Sequence, residues 1–211
     1  MAMDINFHHH SITLLPSGAC YVHQSQALVV ADLHLGKGVL LQEAGVPIVN
    51  QIDTDTIKKL QQDLHTFKPK VCIICGDLVH AISPRMRNQL LWFEQQLESF
   101  STRFILTLGN HDSNQLSRYF NLIKCYESFE LDEIHYSHYS SNTAPTISGH
   151  IHPGIKIKKG RTQRYYKSFA INHFNIICPA YGKHTGIFTK LNDTHDYYMI
   201  NGNCVERYSQ R

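Results

Sequence analysis

Short apolar runs alternate with helix-like stretches through the first half of the chain. Ala27-Leu28-Val29-Val30-Ala31 reads as a buried strand that runs into Asp32-Leu33-His34-Leu35-Gly36. Ile52, Ile57, Leu60 and Leu64 recur at helical spacing, and Pro69 closes that helix ahead of a second strand, Val71 to Cys75. Ser83-Pro84 carries the N-cap and first-turn signature of another helix. Its apolar stripe is Met86, Leu90, Leu91, Phe93, Leu97 and Phe100, with Trp92 also expected in the core. Arg103 to Leu108 is a third strand, entering Gly109-Asn110-His111-Asp112. Ser11 to Leu15 reads as a strand near the N-terminus.

The second half changes character. Ile134 to His138, Thr146 to Ser148, Ile155 to Lys158, Asn175 to Cys178 and Tyr197 to Ile200 are short strands with few helical patterns between them. A first half rich in βαβ units followed by a strand-rich second half predicts an α/β sandwich of two mixed β-sheets flanked by helices. No Gly/Ser/Pro linker divides the halves, so residues 1–211 are expected to form a single domain.

Composition narrows the setting. Hydrophobic residues make up 42% and charged residues 18%, enough for a real core in an ordinary soluble chain. The longest uninterrupted apolar run, Ala27 to Ala31, is far short of the roughly 20 residues of a membrane helix. Without a basic, apolar and small-residue leader at the N-terminus, the expected location is cytoplasmic. Cys72 and Cys75 have C-x-x-C spacing, but residues i and i+3 of a strand point to opposite faces, so they read as two buried, reduced side chains. Histidine is the unusual entry in the composition, at 15 of 211 residues.

Five blocks stand where a predicted strand runs out: Asp32-Leu33-His34, Gly76-Asp77, Gly109-Asn110-His111-Asp112, His138, and Gly149-His150-Ile151-His152. Such ends are where open α/β sheets present ligands. On an extended backbone Asp32 and His34, like His150 and His152, would project to one side, and Gly76, Gly109 and Gly149 would permit sharp turns. The blocks supply carboxylate, imidazole and amide donors without a thiolate, a mixture suited to Mn, Fe, Zn or similar divalent ions. Asp77 is the natural bridge between two ions, which together would clamp a phosphoryl group for in-line displacement. His111 is then free to donate a hydrogen bond to phosphate or leaving oxygen, with Asp112 expected to orient it.

In that order, D-x-H, G-D, G-N-H-D, a lone His and G-H-x-H, the blocks resemble the calcineurin-like metallophosphoesterases. The resemblance implies a four-layer sandwich. It implies Asp32, His34, Asp77 and His152 around one ion, Asp77, Asn110, His138 and His150 around the other, and His111 as the catalytic histidine. His135 competes with His138 for the lone position; His138 is preferred as the last histidine before the loop. A-D-L-H-L-G-K at 31–37, A-G-V-P at 44–47, G-D-L-V-H at 76–80, G-H-I-H-P at 149–153 and P-A-Y-G-x-x-T-G at 179–186 lengthen the pattern. With L-L-P-S-G-A at 14–19, they are similar to the ligase-associated DNA damage response endonuclease family (PdeM). That resemblance implies manganese-dependent phosphodiester cleavage in DNA, in a repair context shared with a DNA ligase, a helicase and an exonuclease. Gln42 and Tyr139 depart from the pattern, where an Arg and a second His would be expected.

Lys156, Lys158, Lys159, Arg161, Arg164 and Lys167 place six basic residues in a twelve-residue stretch without an acidic one, with Tyr165 and Tyr166 among them. They suit phosphate contact with base stacking, although the net charge of +3 does not demand a nucleic-acid partner. The acidic Glu127, Glu130, Asp132 and Glu133 are expected on another edge. His80 and His184 fall near the motifs; either could support the metal ligands or contact substrate, while an exposed polar loop residue is the plainer reading. Two other readings stand beside DNA cleavage. One is a phosphoesterase acting on a nucleotide, a lipid-linked pyrophosphate or a phosphoprotein. The other is a retired fold serving as an interaction scaffold, which predicts missing ligands, and here every position is filled.

Overall fold

The computed structural model describes residues 1–38, 45, 52–80, 86–113, 115–183, 185–190 and 194–209. Gln42, most of the 44–47 motif, Ser83-Pro84 and His184 lie outside them. One sheet contains β1 (Met3–Phe7), β2 (His10–Leu14), β3 (Cys20–Val22), β4 (Ala27–Val30), β5 (Val71–Cys75), β6 (Arg103–Thr107) and β7 (Ile123–Tyr126), arranged in chain order. The first four strands pair antiparallel and β4 to β7 pair parallel, so the sheet is mixed. The connections within the parallel half contain α1 (Ile52–Phe67) and α2 (Met86–Gln95), as parallel neighbours require a crossover.

The second sheet contains β8 (Phe129–Leu131), β9 (Ile134–Ser137), β10 (Thr146–Ser148), β11 (Gly154–Lys159), β12 (Thr162–Ile171), β13 (Asn175–Ile177), β14 (Asp196–Asn201) and β15 (Cys204–Tyr208). Its spatial order is β15-β14-β12-β13-β10-β9-β8, and β11 pairs only with β12. β9, β10 and β13 run parallel; the other pairs are antiparallel. The acidic Glu130, Asp132 and Glu133 therefore sit at the β8 edge, away from the β11–β12 arm.

Alternation along the central strands feeds two cores. Leu28, Val30, Cys72, Ile74, Phe104 and Leu106 pack with Ile57, Leu60 and Leu64 of α1 and with Leu90 and Phe93 of α2. Ala27, Val29, Ile73, Cys75 and Ile105 face the second sheet, meeting Ile134, Tyr136, Ile147, Phe169 and Ile176. The C-x-x-C pair thus divides between the two cores, as strand geometry dictates, and both thiols are free. Each fully buried aliphatic or aromatic side chain contributes about 1.5–3 kcal/mol.

The stripe on α2 is narrower than its sequence suggests. Leu90, Phe93 and Leu97 are buried, but Leu91 and Trp92 are 39% and 36% exposed. Trp92 is not a core residue: it stands about 100° from Phe93 around the helix, outside the apolar face. A buried carboxylate secures the end of this segment, because Glu94 Oε1 accepts the backbone N–H groups of Asn121, Leu122 and Ile123.

Candidate metal centre

All five blocks lie at the C-terminal ends of parallel strands. β4 leads to Asp32 and His34, β5 to Asp77, β6 to Asn110 and His111, β9 to His138, and β10 to His150 and His152. The first three strands belong to one sheet and the last two to the other, so the site straddles the seam between them.

The local backbone differs from the extended form expected at these positions. Asp32, His34, Asp77, His150 and His152 all have positive φ, at 54°, 48°, 48°, 71° and 51°. Pairs of ligands face the same cluster because the chain kinks at each one, not because a strand continues. Left-handed conformations cost non-glycine residues roughly 1–2 kcal/mol each, and such strain concentrates at functional sites. The turn argument for the glycines holds at Gly76, with φ 76°. Gly109 and Gly149 serve a different purpose. A Cβ at Gly109 would stand 2.2 Å from Asp77 Oδ1, and one at Gly149 would stand 2.5 Å from Asp32 Oδ2. Their hydrogens leave room for the carboxylates.

The side chains converge in two overlapping groups. Asp32, His34 and His152 offer ligand atoms within 4.8 Å of one another, and so do Asp32, Asp77 and His138. Asp77 faces both halves: Oδ2 is 3.8 Å from His34 Nε2, and Oδ1 is 3.6 Å from His138 Nε2. Asn110 Oδ1 lies 2.9 Å from His138 Nε2 and 3.1 Å from His150 Nδ1. His138 is buried beneath the cluster, whereas His135 points outward beside Glu130, 3.5 Å away. Tyr139 packs edge-on to the rings of both His138 and His150.

The donor set fits divalent cations. Backbone carbonyls hold the outer nitrogen of three rings: His152 Nδ1 faces Gly186 O at 3.2 Å, His138 Nδ1 faces Cys75 O at 3.5 Å, and His111 Nδ1 faces His80 O at 2.9 Å. Each Nδ1 donates its hydrogen there, leaving an Nε2 lone pair directed inward. His34 Nε2 lies 3.3 Å from His152 Nε2, and among the described residues Asp32 Oδ1 and His34 Nδ1 are buried without a hydrogen-bond partner. An unpartnered carboxylate oxygen among such imidazole nitrogens suits a cation. Burial, followed by His152, His80 and His111, draws His34 down to about 3, so it stands neutral in the form that can bind metal. Burial also lowers His138, against the opposing pull of Asp77 and Asp32.

His111 stands at the open side, its side chain 39% exposed and its Nε2 3.9 Å from Asp77 Oδ2. The His80 carbonyl orients it and the His80 ring stacks on it at 5.0 Å, so His80 is more than a polar loop residue. The orienting role expected of Asp112 is corrected. Its carboxylate accepts backbone N–H groups of Leu78, Val79 and Gly109 at 3.3, 3.2 and 3.0 Å. Asp112 clips together the two loops that carry Asp77 and Asn110. Burial raises it to about 6, although the three donors pull the other way.

The basic stretch forms the β11–β12 arm, in which Lys156 pairs with Tyr165 and lies 5.6 Å above its ring. Lys156, Lys158, Lys159, Arg161 and Arg164 are all exposed. Lys167 departs from this group, because its Nζ donates to the carbonyls of Ala180 and Gly182. His80 takes the supporting place its motif left open, whereas the contributions of Gly186 and Cys75, made through backbone carbonyls, carry no side-chain signal in the sequence.

The profile of the calcineurin-like phosphoesterase family matches residues 26–203. Among solved structures, the chain is similar to Pseudomonas putida nuclease MPE, with a TM-score of 0.79 at 21% identity, covering 99% of this chain and 100% of that one. The E. coli phosphoesterase YfcE aligns with a TM-score of 0.39 at 12% identity, over 83% of this chain and 88% of that one. No curated protein matches the chain.

Proposed function

Because the chain belongs to the calcineurin-like phosphoesterase family, we propose that residues 1–211 act as one domain, a two-metal phosphodiesterase that cuts DNA. The observation that carries this reading is the convergence of Asp32, His34, Asp77, His138 and His152 beside the exposed His111, with an arm bearing Lys156, Lys158, Lys159, Arg161 and Arg164 that starts two residues after His152. The fold shared with a protein described as a nuclease agrees with it. Asp32, His34, Asp77 and His152 would hold one ion, and Asp77, Asn110, His138 and His150 the other. Manganese is the proposed metal, with iron or zinc suiting the same donors. When bound, the ions would supply Lewis acidity that draws charge from a phosphodiester.

The chain's own groups do the rest. His111 Nδ1 donates to the His80 carbonyl, so Nε2 is the atom that gains and gives a proton, and the departing oxygen is its target. Asp112 keeps the Asp77 and Asn110 loops in register, and the arm neutralises the strand's phosphates. A cytoplasmic repair role alongside a DNA ligase, a helicase and an exonuclease completes the proposal. The test is manganese-dependent cleavage of labelled single-stranded, duplex and hairpin DNA, with His111→Ala as control. Untouched DNA together with turnover of a lipid-linked pyrophosphate would transfer the chemistry to that other substrate class.

A further inference from the structure

A second cationic feature lies apart from the metal ligands. A cavity of about 440 Å³ is lined by Lys59 of α1, Lys167 and the two tyrosines of the arm, Lys183, and Ile187. Its volume falls within the range of small-molecule sites, about 300–1,000 Å³. Lys59 Nζ donates to Ser17 O and Tyr181 O at 2.8 and 2.7 Å, and Lys167 Nζ donates to Ala180 O and Gly182 O, each at 2.5 Å. Each Nζ has donor capacity beyond these two bonds, and that of Lys59 also stands over the Tyr181 ring, 3.6 Å from its centroid. Among the described residues neither meets a carboxylate at ion-pair distance, whereas Lys183 is paired with Asp55 at 2.6 Å. Three lysines thus share the cavity wall with one carboxylate, Asp55, while Asp63 acts on Lys59 from behind the wall, where it accepts the Tyr181 hydroxyl.

We propose that this cavity is a nucleotide subsite, in which Lys59, Lys167 and Lys183 take a phosphate and Tyr165 and Tyr166 take the attached base. The chemistry follows from the lining: ammonium groups suit phosphate oxygens, and Tyr165, 53% exposed, offers a flat face for stacking. Burial and the charge of Lys167 draw Lys59 down to about 7, and burial draws Lys167 to about 8, so a bound anion would relieve both. The subsite also adjoins the metal centre. Lys167 holds Gly182 O, Gly182 N–H donates to Asp32 O, and Gly186 O, next to the cavity-lining Ile187, holds the ligand His152. That the bound nucleotide is a neighbouring unit of the strand being cut rests on the DNA-cleaving reading above.

Affinity labelling separates the two ideas. The manganese-loaded protein is treated with limiting pyridoxal 5′-phosphate, whose phosphate seeks the cavity and whose aldehyde condenses with an amine; borohydride then fixes the product for peptide mass spectrometry. Lys59, Lys167 and Lys183 should be modified about tenfold ahead of Lys156, Lys158 and Lys159, and excess dTMP should suppress the reaction. Even labelling across all lysines, absence of protection by dTMP, or inorganic phosphate protecting as well as dTMP would each overturn the subsite. Lys183→Gln tests it without disturbing the core, since this side chain is 58% exposed. About ten times more dTMP should be needed for equal protection, and an unchanged requirement counts against the proposal. Protection by dTMP in a protein that leaves DNA intact would keep the subsite and refute the nuclease reading. DNA cleavage without protection would do the reverse.

Discussion

Adding one methyl group at Gly109 tests whether the placement of Asp77 governs the centre. The Cβ of Gly109→Ala would fall 2.2 Å from Asp77 Oδ1 and 2.4 Å from Asp77 N, so reaching even a 3.0 Å contact requires a shift of about 0.8 Å (3.0 minus 2.2). Asp77 has little freedom to yield: its Oδ1 accepts the His111 N–H and its carbonyl accepts the His34 N–H. Gly109 does not have positive φ, so the substitution carries no left-handed penalty. Alanine at a compatible site stabilises by about 0.4–1 kcal/mol through the unfolded chain, while overpacking costs about 1–3 kcal/mol. The expected balance is a loss of about 1–2 kcal/mol. Activity should suffer more, because the displaced carboxylate faces both halves of the cluster and a misplacement near 1 Å costs on the order of 100-fold. Urea unfolding, calorimetric titration with manganese and hydrolysis of bis(p-nitrophenyl) phosphate measure these effects. A variant with wild-type metal affinity and turnover within threefold of wild type would refute the reasoning.

Other perturbations address separate links. Asp112→Ala strands three backbone N–H groups and should cost about 3 kcal/mol in urea unfolding; a loss below about 1 kcal/mol would mean water replaces the carboxylate. Glu94→Ala removes the acceptor of another three N–H groups away from the metals and should destabilise to a similar degree, about 2–4 kcal/mol, without altering calorimetric metal affinity. His111→Gln should lower phosphodiester turnover about 100- to 10,000-fold while calorimetry still registers both metals; lost metal binding would make His111 a ligand instead. Lys59 releases its proton near pH 7 when folded but near 10.5 when unfolded, so the unfolded chain binds more protons between those values. Stability should therefore rise with pH across that window, by up to about 1.4 kcal/mol per unit, and flatten in Lys59→Met. Urea midpoints from pH 7 to 10 that are equally flat in both proteins would contradict this.

Much of the architecture was legible because burial in parallel strands leaves continuous apolar runs. Ala27 to Ala31 and Val71 to Cys75 announced β4 and β5, and the order of the ligand blocks announced their convergence. The edges were harder to read. β7, β8 and β15 have mixed exposure and take their pairing from neighbours distant in sequence, so local pattern carried little signal. β12 was hidden by its own basic content, since a solvated arm has no apolar face over its first half. Trp92 and Leu91 misled because size and hydrophobicity do not specify angular position on a helix. Asp112 misled because adjacency to His111 suggested partnership, whereas its three donors come from loops brought together by folding.

The seam between the sheets also places the centre in time. Asp32, at the end of β4, and His150, at the end of β10, are joined by a hydrogen bond between residues 118 positions apart. The proposed ligands for each ion come from both sheets, so neither half of the chain can assemble a complete set before the sheets have docked. Contacts this distant in sequence form slowly, since loop closure must precede them. Any ion held by these residues would therefore be taken up late in folding, since before docking the chain offers only partial nests. An ion seated between the sheets would tie them together, and its release would then oppose unfolding.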